Sequence, residues 1–261
     1  MRPWALVTGA SLGIGLELAR LCAADGHDVV LVARNRERLN TLATELATRH
    51  GGVALALALD LSTADAAERL AVWLAGRGIV PQLLINNAGF GLYGLYRATP
   101  LAVEEDMLRL NVATLTSLTK RLLPAMLARG SGRIMNVAST AAFLPGPWMA
   151  VYYATKAYVL SYSEALAWEL AGTGLTVTAL CPGPVATGFQ ARAGLDRSGL
   201  RSGKWLRMDT AADVARTGYR ALLRGRRVCV PGARNALMAG AARLLPRRLL
   251  TAAVGRLSAP R

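Results

Sequence analysis

The chain has 261 residues, 53% of them hydrophobic, enough for one large α/β domain or two small ones and too apolar for intrinsic disorder. Three scattered cysteines without a C-x-x-C pair, and only two histidines, His27 and His50, argue against a disulfide framework, a metal site and a histidine triad. The net charge of +15 is uneven: residues 1–200 carry 17 basic and 14 acidic groups, whereas residues 201–261 carry 14 basic and 2 acidic, an asymmetry that asks for an anionic partner or surface.

Met1 to Gly9 run straight into a strand pattern and lack the build of a signal peptide. No charge-free apolar stretch reaches the ~18 residues of a spanning helix. The expected location is cytoplasmic, with peripheral membrane attachment as the variant. Short runs rich in Val, Leu and Ile predict strands at 4–8, 28–33, 53–58, 83–86, 133–137, 176–181 and 227–230. Longer amphipathic patterns between them predict helices at 13–25, 36–49, 64–75, 100–129, 152–171 and 211–224. Near-continuous apolar strands alternating with helices predict an α/β fold: a single-domain, Rossmann-type, doubly wound parallel sheet of about seven strands flanked by helices. Such sheets bind ligands at the carboxyl ends of their strands.

The first strand meets the first helix at Thr8-Gly9-Ala10-Ser11-Leu12-Gly13-Ile14-Gly15. Glycines here permit positive φ and let the backbone approach a pyrophosphate, while the helix N-terminus offers free N–H donors. Gly9, Ser11, Gly13, Ile14 and Gly15 are the candidate contacts to a dinucleotide. At the end of the second strand an acid would bind the adenosine 2′-hydroxyl, but the residues are Val32-Ala33-Arg34-Asn35. A missing acid and a present Arg34 favour NADP(H). The lack of any basic residue between Thr8 and Gly15 keeps NAD(H) as the alternative. Asp60-Leu61 follows the third strand, where the carboxylate is placed either to accept from an adenine amino group or to cap a helix; the two are compatible.

Tyr152 and Lys156 stand four residues apart, 13 residues beyond Ser139 at the end of an apolar run. On one helix face, about 6 Å apart, an ammonium is expected to lower the tyrosine pKa toward working pH. Only three of the 31 basic residues are lysine: Lys120, Lys156 and Lys204. Read alone, such a pair is more often an exposed Lys beside packing tyrosines. Residues 189–207, rich in Gly and Ser, read as a substrate lid or a solvated loop. Residues 235–261 read as a basic amphipathic extension beyond a 1–234 catalytic unit, interrupted at Pro246, which caps the fold or an oligomer interface or else lies on anionic lipid.

Taken together, Thr8-Gly-x-x-x-Gly-Ile-Gly15, Asn86-Asn87-Ala88-Gly89, Asn111, Ser139, Tyr152-x-x-x-Lys156 and Pro182-Gly183-Pro-Val-Ala-Thr187 resemble the short-chain dehydrogenase/reductases over roughly residues 4–230. Phe90-Gly91-Leu-Tyr-Gly94 and Phe143-Leu-Pro-Gly-Pro147 look like the branch of long-chain 3-oxoacyl and 17β-hydroxysteroid reductases. The resemblance implies an NADP(H)-dependent oxidoreductase acting on a small-molecule carbonyl or alcohol, as a homodimer or homotetramer. It implies Tyr152 as acid–base group and Ser139 as holder of the carbonyl oxygen. Lys156 would bind the nicotinamide ribose, and Asn111 would support a water beside that lysine. Asn87, Ala88 and Gly89 would line the adenosine side, while Pro182, Gly183, Val185 and Thr187 would meet the nicotinamide end. Phe143, Leu144, Trp148 and Met149 are candidate walls for an apolar substrate, or core. A non-catalytic dinucleotide sensor is the alternative. Nucleic acid is disfavoured because the basic tail lacks interleaved aromatics.

Overall fold

The computed structural model describes residues 2–195 and 208–260. Seven parallel strands form one sheet: β1 (Trp4–Thr8), β2 (Asp28–Ala33), β3 (Ala54–Ala58), β4 (Pro81–Asn86), β5 (Gly132–Val137), β6 (Leu175–Leu180) and, at the far edge, a short Val228–Cys229 strand. The spatial order is β3-β2-β1-β4-β5-β6 and then Val228–Cys229. The chain therefore reverses direction across the sheet between β1 and β4, opening a crevice at their carboxyl ends. β1, β2, β4, β5 and β6 are buried along nearly their whole length, as two-sided cover requires, which is why their sequences do not alternate.

Helices cover both faces. On one, α1 (Gly13–Ala24) and α2 (Arg36–His50) pack Leu18, Cys22, Leu39 and Leu42 onto Val7, Leu31 and Ile85. On the other, α3 (Ala66–Ala75) and α5 (Leu115–Arg129) pack Leu70, Leu118 and Met126 onto Leu6, Leu84 and Ile134. α4 (Leu101–Leu108) precedes α5, and α6 (Ala150–Glu169) lies beside it. Asn35 caps α2 by accepting from the Arg38 N–H at 2.9 Å, and Gly51, at φ 63°, ends it.

Three expectations need correction. The helix expected over 100–129 is two helices joined by a π-helical segment, Arg109–Thr114. An inserted residue widens the turn there, and neither proline nor glycine marks it. The third helix starts at Ala66 rather than 64, because Asp60, Ser62 and Thr63 form their own turn: Asp60 Oδ1 accepts from the Ser62 N–H (2.9 Å) and hydroxyl (2.7 Å). The stretch expected to be loop from 189 opens with a helical turn, α7 (Phe189–Ala193). Residues 196–207 of that stretch lie outside the described residues. Beyond them, β8 (Asp209–Thr210) pairs with β7 (Val185–Ala186), a ribbon too short for periodicity to reveal. α8 (Ala211–Leu223) follows, capped by Thr210. The chain then runs through the edge strand, here β9, into α9 (Ala233–Leu244) and α10 (Arg247–Ser258), split at Pro246 as expected. No helix among the described residues is long and apolar enough to cross a membrane.

Candidate active site

The β1–α1 turn lies at the crevice. Gly9 and Gly13 hold φ of 67° and 61°, where a side chain is strained. A Cβ on Gly9 would meet Asn87 Nδ2 at 2.7 Å, and one on Gly15 would overlap the same amide. Asn87 in turn donates to Thr8 O (2.9 Å) and Gly9 O (3.2 Å), binding the end of β4 to the turn. Thr8 is a residue the motif contains but whose role only the contacts reveal. Its Oγ1 accepts from the Asn87 and Ala88 N–H groups, each at 3.0 Å, and donates to Ile85 O at 3.3 Å. α1 has no side-chain cap and no acid in its first turn, so its leading N–H groups are left to a ligand, as a diphosphate requires. Ser11 and Ile14 flank this turn, half-buried.

Arg34 is exposed at the end of β2, its Nη1 4.0 Å from Asp60 Oδ2. Partial burial opposes ionisation of Asp60, but the Ser62 N–H and hydroxyl, with the Arg34 charge, together hold its carboxyl below the usual range. The capping use of Asp60 is thus present. Leu61 is buried and its carbonyl accepts from Thr114 Oγ1 at 2.8 Å, tying this corner to the π-helical segment.

The proton-handling group assembles between β5, α6 and that segment. Tyr152 and Lys156 are both buried, on one face of α6. Ser139 sits in extended backbone after β5; its Oγ accepts from the Ala141 N–H (3.1 Å) and donates to Pro182 O (3.5 Å), and its hydroxyl acts to lower the Tyr152 phenol. Lys156 Nζ donates to Val137 O at 2.8 Å and stands 5.8 Å from the centre of the Tyr152 ring. Asn111, in the π-helical segment, donates to Phe90 O (2.9 Å) and Thr155 Oγ1 (3.1 Å) and accepts from the Phe90 N–H (3.2 Å). Its Oδ1 and Lys156 Nζ converge on Gly89, where a Cβ would lie 2.9 and 3.5 Å from them.

The electrostatics reverse one expectation. Burial pushes the Tyr152 phenol up, against the lowering by the Ser139 hydroxyl. The same burial brings Lys156 down to about 8, with Cys181 acting the other way. Helix spacing alone suggested that the ammonium would dominate; removal from water dominates instead. The i, i+4 rule describes geometry and says nothing of desolvation.

After β6, Pro182 O also accepts from the Thr140 N–H at 2.8 Å, and Gly183 leads into β7 with Val185 buried. Thr187 Oγ1 accepts from the Phe189 N–H at 3.2 Å, and a Cβ on Gly13 would meet Thr187 Cγ2 at 3.1 Å. The β7 corner therefore reaches the glycine turn across the crevice. Phe189, passed over as loop, lies 5.4 Å from the Tyr152 ring. With Phe90, Leu92, Met107 and Met149 it surrounds the tyrosine with apolar groups. Of the four expected walls, Met149 joins this cluster and Trp148 stacks on Tyr93 at 6.0 Å. Phe143 turns away, packing beside Ala138 and Val159 with the Arg243 guanidinium 5.3 Å from its ring centre. Leu144 is half-buried.

A glycine turn at the switch point of a parallel sheet, with a Ser–Tyr–Lys group across the crevice, defines a Rossmann-type α/β protein with a built polar site. The chain belongs to the short chain dehydrogenase family, whose model matches residues 3–198. It is 31% identical over 188 residues to the very-long-chain 3-oxoacyl-CoA reductase of Homo sapiens, covering 70% of this chain and 60% of that protein. Mycobacterial proteins described as probable oxidoreductases match over 74% of this chain but only 33% of their own length. Among solved structures, a short-chain dehydrogenase from Sphingobium yanoikuyae in complex with NADPH superposes with TM-score 0.82 at 32% identity, over 92% of this chain and 93% of that one. A 7β-hydroxysteroid dehydrogenase superposes with TM-score 0.82 at 26% identity, over 97% and 96%.

Proposed function

We propose that this oxidoreductase is an NADP(H)-dependent carbonyl reductase, or dehydrogenase of the matching alcohol, with Tyr152 as acid–base group and an apolar 3-oxoacyl or steroid-like ketone as substrate. The observation that carries the reading is the buried Tyr152, its phenol under the influence of Ser139, with Lys156 on the same helix face and an uncapped, glycine-lined helix start across the crevice.

The residues fit the dinucleotide. Gly9 to Gly15 would hold its diphosphate, Arg34 its 2′-phosphate, Asp60 and Leu61 its adenine, and Asn87 to Gly89 the adenosine side. Lys156 would bind the nicotinamide ribose; Pro182, Gly183, Val185 and Thr187 would orient the nicotinamide. Bound NADP(H) supplies or accepts the hydride. Ser139 positions the carbonyl oxygen against the phenol. A phenol raised by burial keeps its proton at neutral pH, the form a donor needs as negative charge grows on that oxygen. Lys156, at about 8, remains largely charged there and adds to the stabilising field. Asn111, held by Phe90 and Thr155, fixes the backbone beside Gly89 and so the lysine's surroundings. Phe90, Met107, Met149 and Phe189 around the tyrosine support an apolar substrate, as do the 3-oxoacyl-CoA and hydroxysteroid activities in the names of the relatives. A homodimer or homotetramer belongs to the same reading. Gel filtration tests it.

The test is NADPH and NADH oxidation against 3-oxoacyl thioesters, steroid ketones and simple aldehydes, with Tyr152→Phe alongside. Turnover of the long apolar ketones with NADPH is expected, falling by ~10² or more in Tyr152→Phe while NADPH still binds. Unchanged turnover in that variant sinks the acid–base assignment, and NADPH binding without turnover of any ketone favours a dinucleotide sensor.

A further inference from the structure

We propose that α9 and α10 form a docking face for an anionic lipid bilayer. The two helices carry opposite faces with opposite tasks. Inward, α9 buries Ala239 and Ala242, and α10 buries Leu250 and Ser258. Those faces rest on the segment leading into α6. Tyr93 Oη donates to Ser258 O at 2.6 Å, Gly255 lies beside Pro147, and Arg243 spans from the Phe143 ring to Glu164, 3.8 Å away. The packing is therefore already satisfied, and it leaves the other side of each helix to solvent.

That other side is apolar where a solvated helix would be polar. On α9, Leu237 and Leu244 are i and i+7, on the side opposite Ala239 and Ala242, with Gly240 and Ala241 between them. They are 76% and 87% exposed. On α10, Leu249, Ala253 and Leu257 recur every four residues in a stripe that adjoins the buried Leu250; both leucines are 63% exposed. Arg234 borders the stripe on α9 and Arg256 the one on α10, Arg247 and Arg248 stand in the first turn of α10, and none of the four makes an ion pair among the described residues. No acidic residue follows Asp213 in the sequence.

Leucines ringed by unpaired arginines, on helices lying across the surface, match the two attractions of a membrane interface: acyl-chain contact for the apolar stripe and headgroup phosphate for the guanidinium rim. Charge selects among occupants. A second copy meeting this face with the same face would set arginine against arginine. A nucleic acid would answer the arginines but leave the leucines in water. Anionic lipid satisfies both. The face needs no turnover, so it stands or falls apart from the carbonyl-reductase reading.

The experiment is sedimentation of the full chain with phosphatidylcholine vesicles, with and without phosphatidylglycerol. Binding is expected only to the anionic vesicles, weakening as salt rises. Arg247→Gln with Arg248→Gln is expected to weaken it about thirtyfold. Leu244→Ser with Leu249→Ser is expected to weaken it about tenfold or more. Both pairs are exposed, so a thermal midpoint no lower than that of the wild type confirms that each variant folds. Equal binding to neutral vesicles, or wild-type binding by either double variant, overturns the proposal. Duplex-DNA binding without vesicle binding overturns it, as does leucine-dependent self-association without vesicle binding.

Discussion

Tyr152 and Lys156 sit in the same burial and respond to it in opposite directions. Burial raises the phenol and lowers the ammonium, because leaving water disfavours whichever form is charged. The lysine has a consequence for stability. Its pKa falls from 10.5 to about 8 in the fold, so between those values the unfolded chain binds the extra proton. Its contribution to unfolding free energy therefore rises with pH from about 8 to 10.5 and is smallest below about 8. Lys156→Met is expected to flatten that rise. Urea titrations of both proteins across the window check it, and an unchanged pH slope removes Lys156 as its source. Arg34 sits at the other extreme of burial, 64% exposed at its side chain. Its one charged partner among the described residues is Asp60, in a loose contact, so its charge is available to a phosphate. Arg34→Ala is expected to raise the KM for NADPH about tenfold or more and to leave that for NADH nearly unchanged. Equal loss with both cofactors would show that the residue does not read the 2′-phosphate.

Between elements, small polar side chains do the joining. Thr8 links β1 to the chain leaving β4 through one hydroxyl, which accepts two backbone N–H groups. Thr8→Val keeps the shape and strands both donors, at roughly 1–3 kcal/mol each. Lower stability and weaker dinucleotide binding together are the expected result, read from urea midpoints and NADPH fluorescence; a loss of stability alone would make the clamp merely structural. Deeper in the core, Asn86 donates to Thr119 Oγ1 (3.0 Å) and Asn136 Oδ1 (2.9 Å), and Asn136 donates to Ser163 Oγ (2.9 Å). This chain of bonds ties β4, β5, α5 and α6 into one block, with Lys156 anchored one residue past Asn136 at Val137 O. The π-helical segment serves a similar end by bringing Asn111 to Phe90 and Thr155 at once. Trp148, at φ 71°, is the one non-glycine residue with positive φ among the described residues. The Gly94 N–H to Trp148 O bond (2.8 Å) and the Tyr93 stack hold that strain in place.

For the molecule as a whole, charge opposes compactness. A net charge of +15, concentrated beyond residue 200, repels itself more in the folded state than in the expanded one. Raising ionic strength from low to near-physiological values is expected to raise the thermal midpoint, since screening acts within about 10 Å. The increase should be smaller in Arg247→Gln with Arg248→Gln. A midpoint indifferent to salt would show that the arginines are too dispersed in the fold to matter.

Much of the fold is legible in the sequence. Strand and helix order, the glycine turn, the break at Pro246 and the pairing of Tyr152 with Lys156 on one helix face all follow from local rules: period, turn chemistry and i, i+4 geometry. What those rules leave out is distance through space. Only the packed chain brings Ser139 to Pro182, 43 residues on, and sets Phe189 against Tyr152. The π-helical widening at Asn111 likewise carries no proline or glycine to announce it. Burial is collective as well, and it decided the direction in which the tyrosine and lysine titrate. Sequence by itself determined which groups this protein has for its chemistry. Tertiary structure decided how dry they are and what they touch, because desolvation and contact depend on segments distant in sequence arriving together.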